Sequence, residues 1–205
     1  MIELVLFDVG GVLFEEGYRK GLQAIAERND IDPVRLKIIS DRLILETGYL
    51  TGKVEENVFW DAIRDESGIM ESNDEMRETL IKRFVPRGWM LEIVRKLKDR
   101  VRLAILSDQT NWLDILEERH HFFNLFDTVF NSYYTGRSKV DQLTFDFAAS
   151  VLGVRQEKIL FIDDMIGNIT RAEASGYKTI LYFDRSKFLT DIGQYFPDIS
   201  TLSLY

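Results

Sequence analysis

Five short apolar runs constrain the fold of this chain more than any other feature. They are Ile2–Phe7, Val101–Leu106, Thr128–Asn131, Ile159–Ile162 and Thr179–Phe183. Several are near-continuous in Val, Ile, Leu and Phe rather than alternating with polar residues. A strand of that kind has apolar neighbours on both faces, as in a parallel sheet covered by helices. Stretches with helical spacing separate most of the runs: Leu91–Lys98, Trp112–Glu118, Leu143–Leu152 and Asn168–Ser175. Gly153 and Gly176 stand where helix C-termini are expected. Strand alternating with helix predicts an α/β fold with a Rossmann-like parallel sheet.

One interval is too long. About ninety residues separate the first two runs, whereas a crossover needs a helix of roughly a dozen. The excess predicts a small inserted helical module over residues 15–85, with residues 1–14 and 86–205 forming the core. Leu22–Arg28, Val34–Leu45, Glu55–Glu66 and Glu75–Phe84 carry helical periodicity, and Gly48, Gly52 and Gly68 punctuate them. Asp32-Pro33 reads as a helix cap followed by proline at the first helical position. The module is polar enough to be expected as a bundle standing outside the sheet.

Composition excludes several kinds of chemistry. The chain has no cysteine, so disulfides, thiolate catalysis and Cys-ligated zinc are ruled out. His120 and His121 have no other ligand cluster nearby in sequence and read as a polar patch. The formal net charge is −8, which argues against non-specific binding to nucleic acid or to anionic lipid. Trp60, Trp89 and Trp112 are expected in the core rather than as a base-stacking platform. No apolar stretch approaches the roughly 20 residues of a membrane span. The first residues show no signal-peptide pattern, and the expected location is cytoplasmic.

In open α/β sheets, ligands bind beyond the carboxyl ends of the strands. The first run ends in Phe7-Asp8-Val9-Gly10-Gly11, a carboxylate followed by glycines that permit a tight turn and close approach by a ligand. The fourth ends in Asp163-Asp164, with Asn168 four residues further on. Three carboxylates in one place are costly unless a cation neutralises them. Hard oxygen ligands suit Mg²⁺, which commonly pairs with substrate phosphate. The second run ends in Leu106-Ser107-Asp108, offering a hydroxyl to a phosphate oxygen. Lys139, after the third run, offers an ammonium to balance the acids and the phosphoryl group.

Asp8 with its glycines, Ser107, Lys139 and the Asp163-Asp164 pair fall in the order and spacing of the four motifs of the haloacid-dehalogenase-like (HAD) superfamily. The chain resembles subfamily I, whose helical C1 cap lies between the first two motifs. The resemblance implies that Asp8 is the nucleophile and forms an aspartyl-phosphate. It implies Mg²⁺ held by Asp8, the Gly10 carbonyl and Asp164, with Asp163 acting through water or orienting the other ligands. Ser107 and Lys139 would hold phosphoryl oxygens, with Gly11 and Asp108 beside the substrate and Asn168 supporting the acids. A cap segment around Glu46–Lys53 is expected to reach the site, with Arg42 as an anion contact. The implied partner is a small phosphorylated molecule. The motifs name neither a particular substrate nor an oligomeric state.

The chain departs from the superfamily pattern twice. Phosphatases of this group usually carry a second aspartate two residues after the nucleophile, where this chain has Gly10. General acid–base help is worth roughly 10²–10⁴-fold, so its loss slows turnover without abolishing it. Glu15, Glu16, Asp108 or a residue of the insert could take the role, and the sequence selects none of them. The third motif reads Lys139-Val140-Asp141, without the usual stiffening proline. The D-x-G-G-V-L pattern resembles a branch related to sugar-phosphate phosphatases. Two alternatives stay open. A 2-haloacid dehalogenase also lacks the second aspartate but needs no Mg²⁺, and the retained acid pair counts against it. The other is a phosphate-binding protein that has lost turnover. A receiver-type signalling domain would be shorter and lack the insert.

Overall fold

The computed structural model describes residues 1–200. Five strands form one sheet: β1 (Leu4–Phe7), β2 (Arg102–Ser107), β3 (Thr128–Asn131), β4 (Ile159–Asp163) and β5 (Lys178–Leu181). Their order is β3-β2-β1-β4-β5, and every neighbouring pair is parallel. The apolar runs are explained by burial on both faces. Val5, Phe7, Leu103, Ile105, Leu160 and Ile162 point into the larger core cluster. Leu4, Leu6, Ala104, Leu106, Ile159 and Phe161 point into a second cluster on the opposite face.

Four helices of the insert follow β1: α1 (Gly17–Arg28), α2 (Pro33–Glu46), α3 (Glu56–Ser67) and α4 (Asn73–Ile81); α5 (Gly88–Lys98) then leads into β2. Asp32 caps α2 by accepting from Val34 N, with Pro33 at the helix start. The chain leaves and returns through one narrow crossing. Glu15 N donates to Val85 O at 2.8 Å, and Arg87 N donates to Leu13 O at 2.9 Å. Arg87 Nη1 also donates to the carbonyls of Val12 and Phe14, each at 3.0 Å.

The insert does not stand outside the sheet as an independent bundle. Its buried apolar side chains, Leu50 excepted, belong to the same cluster as one face of the sheet. The joint is aromatic and runs through α6 (Trp112–His120), which follows α5 (Gly88–Lys98) and β2. Trp60 and Trp112 stack with ring centroids 5.6 Å apart. Both indoles donate to Glu56 Oε1, at 2.7 and 2.9 Å, while Arg77 donates to Glu56 Oε2 at 2.7 Å. Trp60 and Trp112 are fully buried, and Trp89 is half-buried against the same cluster. His120 and His121 lie exposed at the end of α6.

After β3 come α7 (Ser132–Thr135) and α8 (Leu143–Leu152), then α9 (Ile166–Ala174), α10 (Arg185–Gly193) and α11 (Pro197–Ser200). Several boundaries differ from the sequence expectation. β2 and β4 run one residue further, so Ser107 and Asp163 are strand residues, and β5 is shifted toward its N-terminal side. α1 starts at Gly17 rather than Leu22, because the Glu16 carboxylate accepts from Arg19 N and closes the first turn. A Cβ on Gly17 would stand 2.3 Å from the Phe84 ring, and one on Gly21 would stand 2.3 Å from Leu80. Packing therefore places two weak helix formers in that helix. Among the described residues no helix is long and apolar enough to cross a membrane.

Candidate active site

Parallel register brings the ends of β1, β2 and β4 side by side. Phe7 is paired with Ile105 and with Ile162. Asp8 follows one residue later, with its amide donating to Ile162 O at 2.9 Å. The carboxylates of Asp8, Asp163 and Asp164 each offer an oxygen within 4.8 Å of the others.

Lys139 enters this group from the loop between α7 and α8. Its Nζ lies 2.7 Å from Asp8 Oδ1 and 2.7 Å from Asp163 Oδ2, and the side chain is fully buried. Two neighbours hold the turn that lacks a proline. Lys139 N donates to Asp108 Oδ1 at 2.9 Å, and Ser138 Oγ donates to Asp108 Oδ2 at 2.7 Å. Arg171 Nε donates to Lys139 O at 2.6 Å.

The two adjacent acids of β4 differ in setting. Asp163 is fully buried and accepts from Met165 N at 2.7 Å, from Asn168 Nδ2 at 3.0 and 3.1 Å, and from Lys139. Asn168 is held in turn by Arg171 Nη2 at 2.8 Å. Asp164 is half-buried and lines the cleft. It also fixes the residue opposite: a Cβ on Gly11, whose φ is +82°, would stand 2.3 Å from Asp164 Oδ2. Only glycine fits there.

Burial raises the Asp8 carboxyl to about 8; the Lys139 ammonium opposes this, and Asp163 and Asp164 add to it. Burial, reinforced by Asp163, raises Asp164 to about 6. For Lys139 burial acts downward, but the charges of Asp163, Asp8 and Asp108 outweigh it and keep the ammonium protonated. One lysine thus leaves the acid cluster under-compensated. Clustered hard oxygen donors with excess negative charge suit a divalent cation such as Mg²⁺.

Ser107 sits beside this cluster at the end of β2. Its Oγ is buried and has no hydrogen-bond partner. Buried hydroxyls are rarely left so, and this one lines the cleft with Asp8, Gly10 and Lys139.

One expected contact lies elsewhere. Arg42 does not face the site. It donates to Glu46 Oε2 at 2.6 Å and pairs with Glu66 across α2 and α3, because those carboxylates are its nearest partners in the folded insert. Asp108 lines the cleft as expected, and its carboxylate accepts from Ser138 Oγ and Lys139 N of the adjoining turn. From Glu46–Lys53, Leu50 reaches the cleft. Of the acids named as substitutes for the missing aspartate, Glu16 lines the cleft, whereas Glu15 pairs with Lys20 and Arg87. Sequence reading missed Tyr18, Asp41, Phe84, Gln109 and Arg171, all of which line the cleft. Arg171 alone had a local signal, standing one helical turn after Asn168.

The parallel α/β sheet thus carries a carboxylate cluster, a buried lysine and an unbonded hydroxyl at its strand ends, a set of groups suited to hydrolytic chemistry. The family model for haloacid dehalogenase-like hydrolases matches residues 2–176, and the chain belongs to that family. An uncharacterised protein of Dictyostelium discoideum is 26% identical over 197 residues, covering 89% of this chain and 82% of that protein. Among solved structures, a HAD family enzyme of Bacteroides thetaiotaomicron in complex with magnesium and inorganic phosphate superposes with a TM-score of 0.71. It is 22% identical and covers 88% of this chain and 93% of its own. The L-2-haloacid dehalogenase of Xanthobacter autotrophicus, with chloropropionic acid covalently bound, gives a TM-score of 0.66 at 17% identity, covering 95% of this chain and 83% of its own. At these identities the two structures share the fold with this chain.

Proposed function

We propose that the chain is a Mg²⁺-dependent phosphomonoesterase acting on a small phosphorylated metabolite, with residues 15–85 as the cap over the site. The observation that carries this reading is the cluster of Asp8, Asp163 and Asp164 oxygens within 4.8 Å of one another. Displacement of halide from a haloacid has no use for so concentrated a negative charge, whereas phosphoryl transfer with a divalent cation needs it. The magnesium and phosphate bound by the Bacteroides enzyme support the same reading.

In this reading Asp8 Oδ1 is held by Lys139, and Oδ2, which has no hydrogen bond among the described residues, attacks phosphorus. The P–O bond to the alcohol breaks and its electron pair leaves on the alcohol oxygen. Ser107 Oγ and Lys139 Nζ steady the non-bridging oxygens. Water then attacks the aspartyl-phosphate, releasing inorganic phosphate and restoring Asp8. Asp163 and Asn168 fix Lys139 and the acid geometry. Bound Mg²⁺, held by Asp8, Asp164 and the Gly10 carbonyl, would offset the charge that accumulates on the phosphoryl group. With no carboxylate at Gly10 to protonate the departing oxygen, esters of acidic alcohols react fastest.

The test is a panel of phosphorylated metabolites and p-nitrophenyl phosphate assayed with and without Mg²⁺, with Asp8→Asn as control. Metal-dependent phosphate release that disappears in Asp8→Asn is expected. Halide release from a 2-haloacid without metal, with no phosphatase activity, would replace this reading with dehalogenation. Trapping BeF₃⁻ at Asp8 while turning over no ester would replace it with a binding role.

A further inference from the structure

The cleft in front of Asp8 has a volume of about 360 Å³. A phosphoryl group at Asp8, Ser107 and Lys139 occupies only its floor. The space left for the rest of a substrate is lined on the insert side by Ile44, Leu45 and Leu50, and on the core side by Val140 and Met165. Leu45 is 49% exposed, and Val140 and Met165 are each 59% exposed, so the mouth has an apolar rim. Exposed apolar surface gathered around a concave site marks the part that meets a ligand.

The charges around this space are unequal. The insert contributes the carboxylate of Asp41, and Glu16 stands at its entry. Among the described residues, the cationic side chains lining the cleft are Lys139 and Arg171. Lys139 is bound to Asp8 and Asp163, and Arg171 is bound to the Lys139 carbonyl and to Asn168. Arg42, the insert cation nearest in sequence to Asp41, is turned to Glu46 and Glu66. Lys37 pairs with Asp41 and Arg19 with Glu16, both cations from exposed positions outside the cleft lining, where such pairs are weak and screened. A second anionic group on a substrate would therefore find no uncommitted cation and would face two carboxylates.

We infer that the cleft selects phosphate monoesters whose organic group is small, apolar and free of a second anionic group, and that it accepts a cationic amine in that place. This substrate class rests on the phosphatase reading above. Sugar bisphosphates and phosphorylated carboxylic acids are excluded; phosphate esters of neutral or amino alcohols are admitted.

The experiment compares phenyl phosphate with 4-(carboxymethyl)phenyl phosphate and 4-(aminomethyl)phenyl phosphate, in which a methylene insulates the leaving group. The expected kcat/KM is at least tenfold lower for the carboxymethyl ester than for phenyl phosphate, and equal or higher for the aminomethyl ester. Leu45→Arg, an exposed substitution at the rim, should raise the carboxymethyl-to-phenyl ratio at least fivefold. Equal turnover of the carboxymethyl ester, or a ratio unmoved by Leu45→Arg, would overturn the inference. If no ester is hydrolysed, the phosphatase reading fails separately. The ranking is then read from binding of phenylphosphonate and its carboxymethyl and aminomethyl analogues by calorimetry with Mg²⁺ present. The same order supports the inference; the reverse order, or no binding by any of the three, overturns it.

Discussion

The Phe84 ring stands 3.3 Å from the point where a Cβ on Gly10 would be. The Gly10 backbone lies outside the left-handed region, so its conformation does not demand glycine. The ring crowds it instead: Phe84 is buried between Gly10 and Gly17, and a Cβ on Gly10 would need it to give by a few tenths of an ångström, while one on Gly17 would stand 2.3 Å from it. Phe84 crowds the place where a second aspartate would stand. Gly10→Asp alone is expected to overpack the site, at a cost of about 1–3 kcal/mol in urea unfolding, with little gain in rate. Gly10→Asp combined with Phe84→Leu should raise kcat for alkyl phosphate esters about 10²-fold over Phe84→Leu alone. Turnover of p-nitrophenyl phosphate should change little. A double variant no faster than Phe84→Leu would show that the missing acid does not limit the reaction.

Ser107 predicts a separation of stability from binding. Its buried Oγ has no partner, so Ser107→Ala removes a desolvated polar atom and breaks no hydrogen bond. The melting temperature should stay constant or rise, with stability changed by less than about 1 kcal/mol. Loss of a hydrogen bond to a charged phosphate oxygen should weaken inhibition by inorganic phosphate about 10–100-fold. A marked fall in melting temperature with unchanged phosphate inhibition would contradict the assignment.

The sheet was legible because burial on both faces writes itself into each strand as an uninterrupted apolar run. Asp8, Ser107 and Asp163 were legible for a related reason: each closes a run or follows one, where register brings them together; Lys139 comes from a loop beyond its strand and was legible only by its place in the superfamily pattern. The insert side of the cleft was not. Gly17 and Gly21 read as helix breakers, yet they are the surfaces on which Phe84 and Leu80 rest. Arg42 read as an anion contact because its partner Glu66 lies twenty-four residues away on another helix. The Phe84–Gly10 contact links residues on opposite sides of the insert, and no local pattern reports it. The single apolar core shared by insert and sheet was hidden in the same way, since the Trp60–Trp112 stack and its Glu56 acceptor depend on tertiary placement.

Lys139 holds the acid cluster together in the absence of metal. It is buried with bonds of 2.7 Å to two carboxylates. Lys139→Met leaves those carboxylates without a counter-charge and should destabilise the metal-free protein by about 3–5 kcal/mol in urea unfolding. Asp8→Asn relieves part of that repulsion. The double variant Asp8→Asn/Lys139→Met should therefore be less destabilised than the sum of the single effects. Strict additivity would indicate that the two side chains do not interact as the geometry requires.

Proton and metal should compete for the same oxygens. Asp164 is raised to about 6 and Asp8 to about 8, against roughly 3.9 in an unfolded chain. The folded state therefore binds these protons more tightly than the unfolded state does. Their contribution to stability is complete below about pH 4 and is lost as pH rises through 6 and then 8. Without metal, the melting temperature should fall across that interval. Mg²⁺ binds the deprotonated acids, so its stabilising shift should be small at pH 5 and largest near pH 8.5. Asp8→Asn should flatten the metal-free decline between about pH 6 and 8 and make it shallower below pH 6, where Asp164 still contributes. Scanning fluorimetry at fixed ionic strength, with and without Mg²⁺, reads both effects; a metal shift as large at pH 5 as at pH 8.5 would refute the shared site.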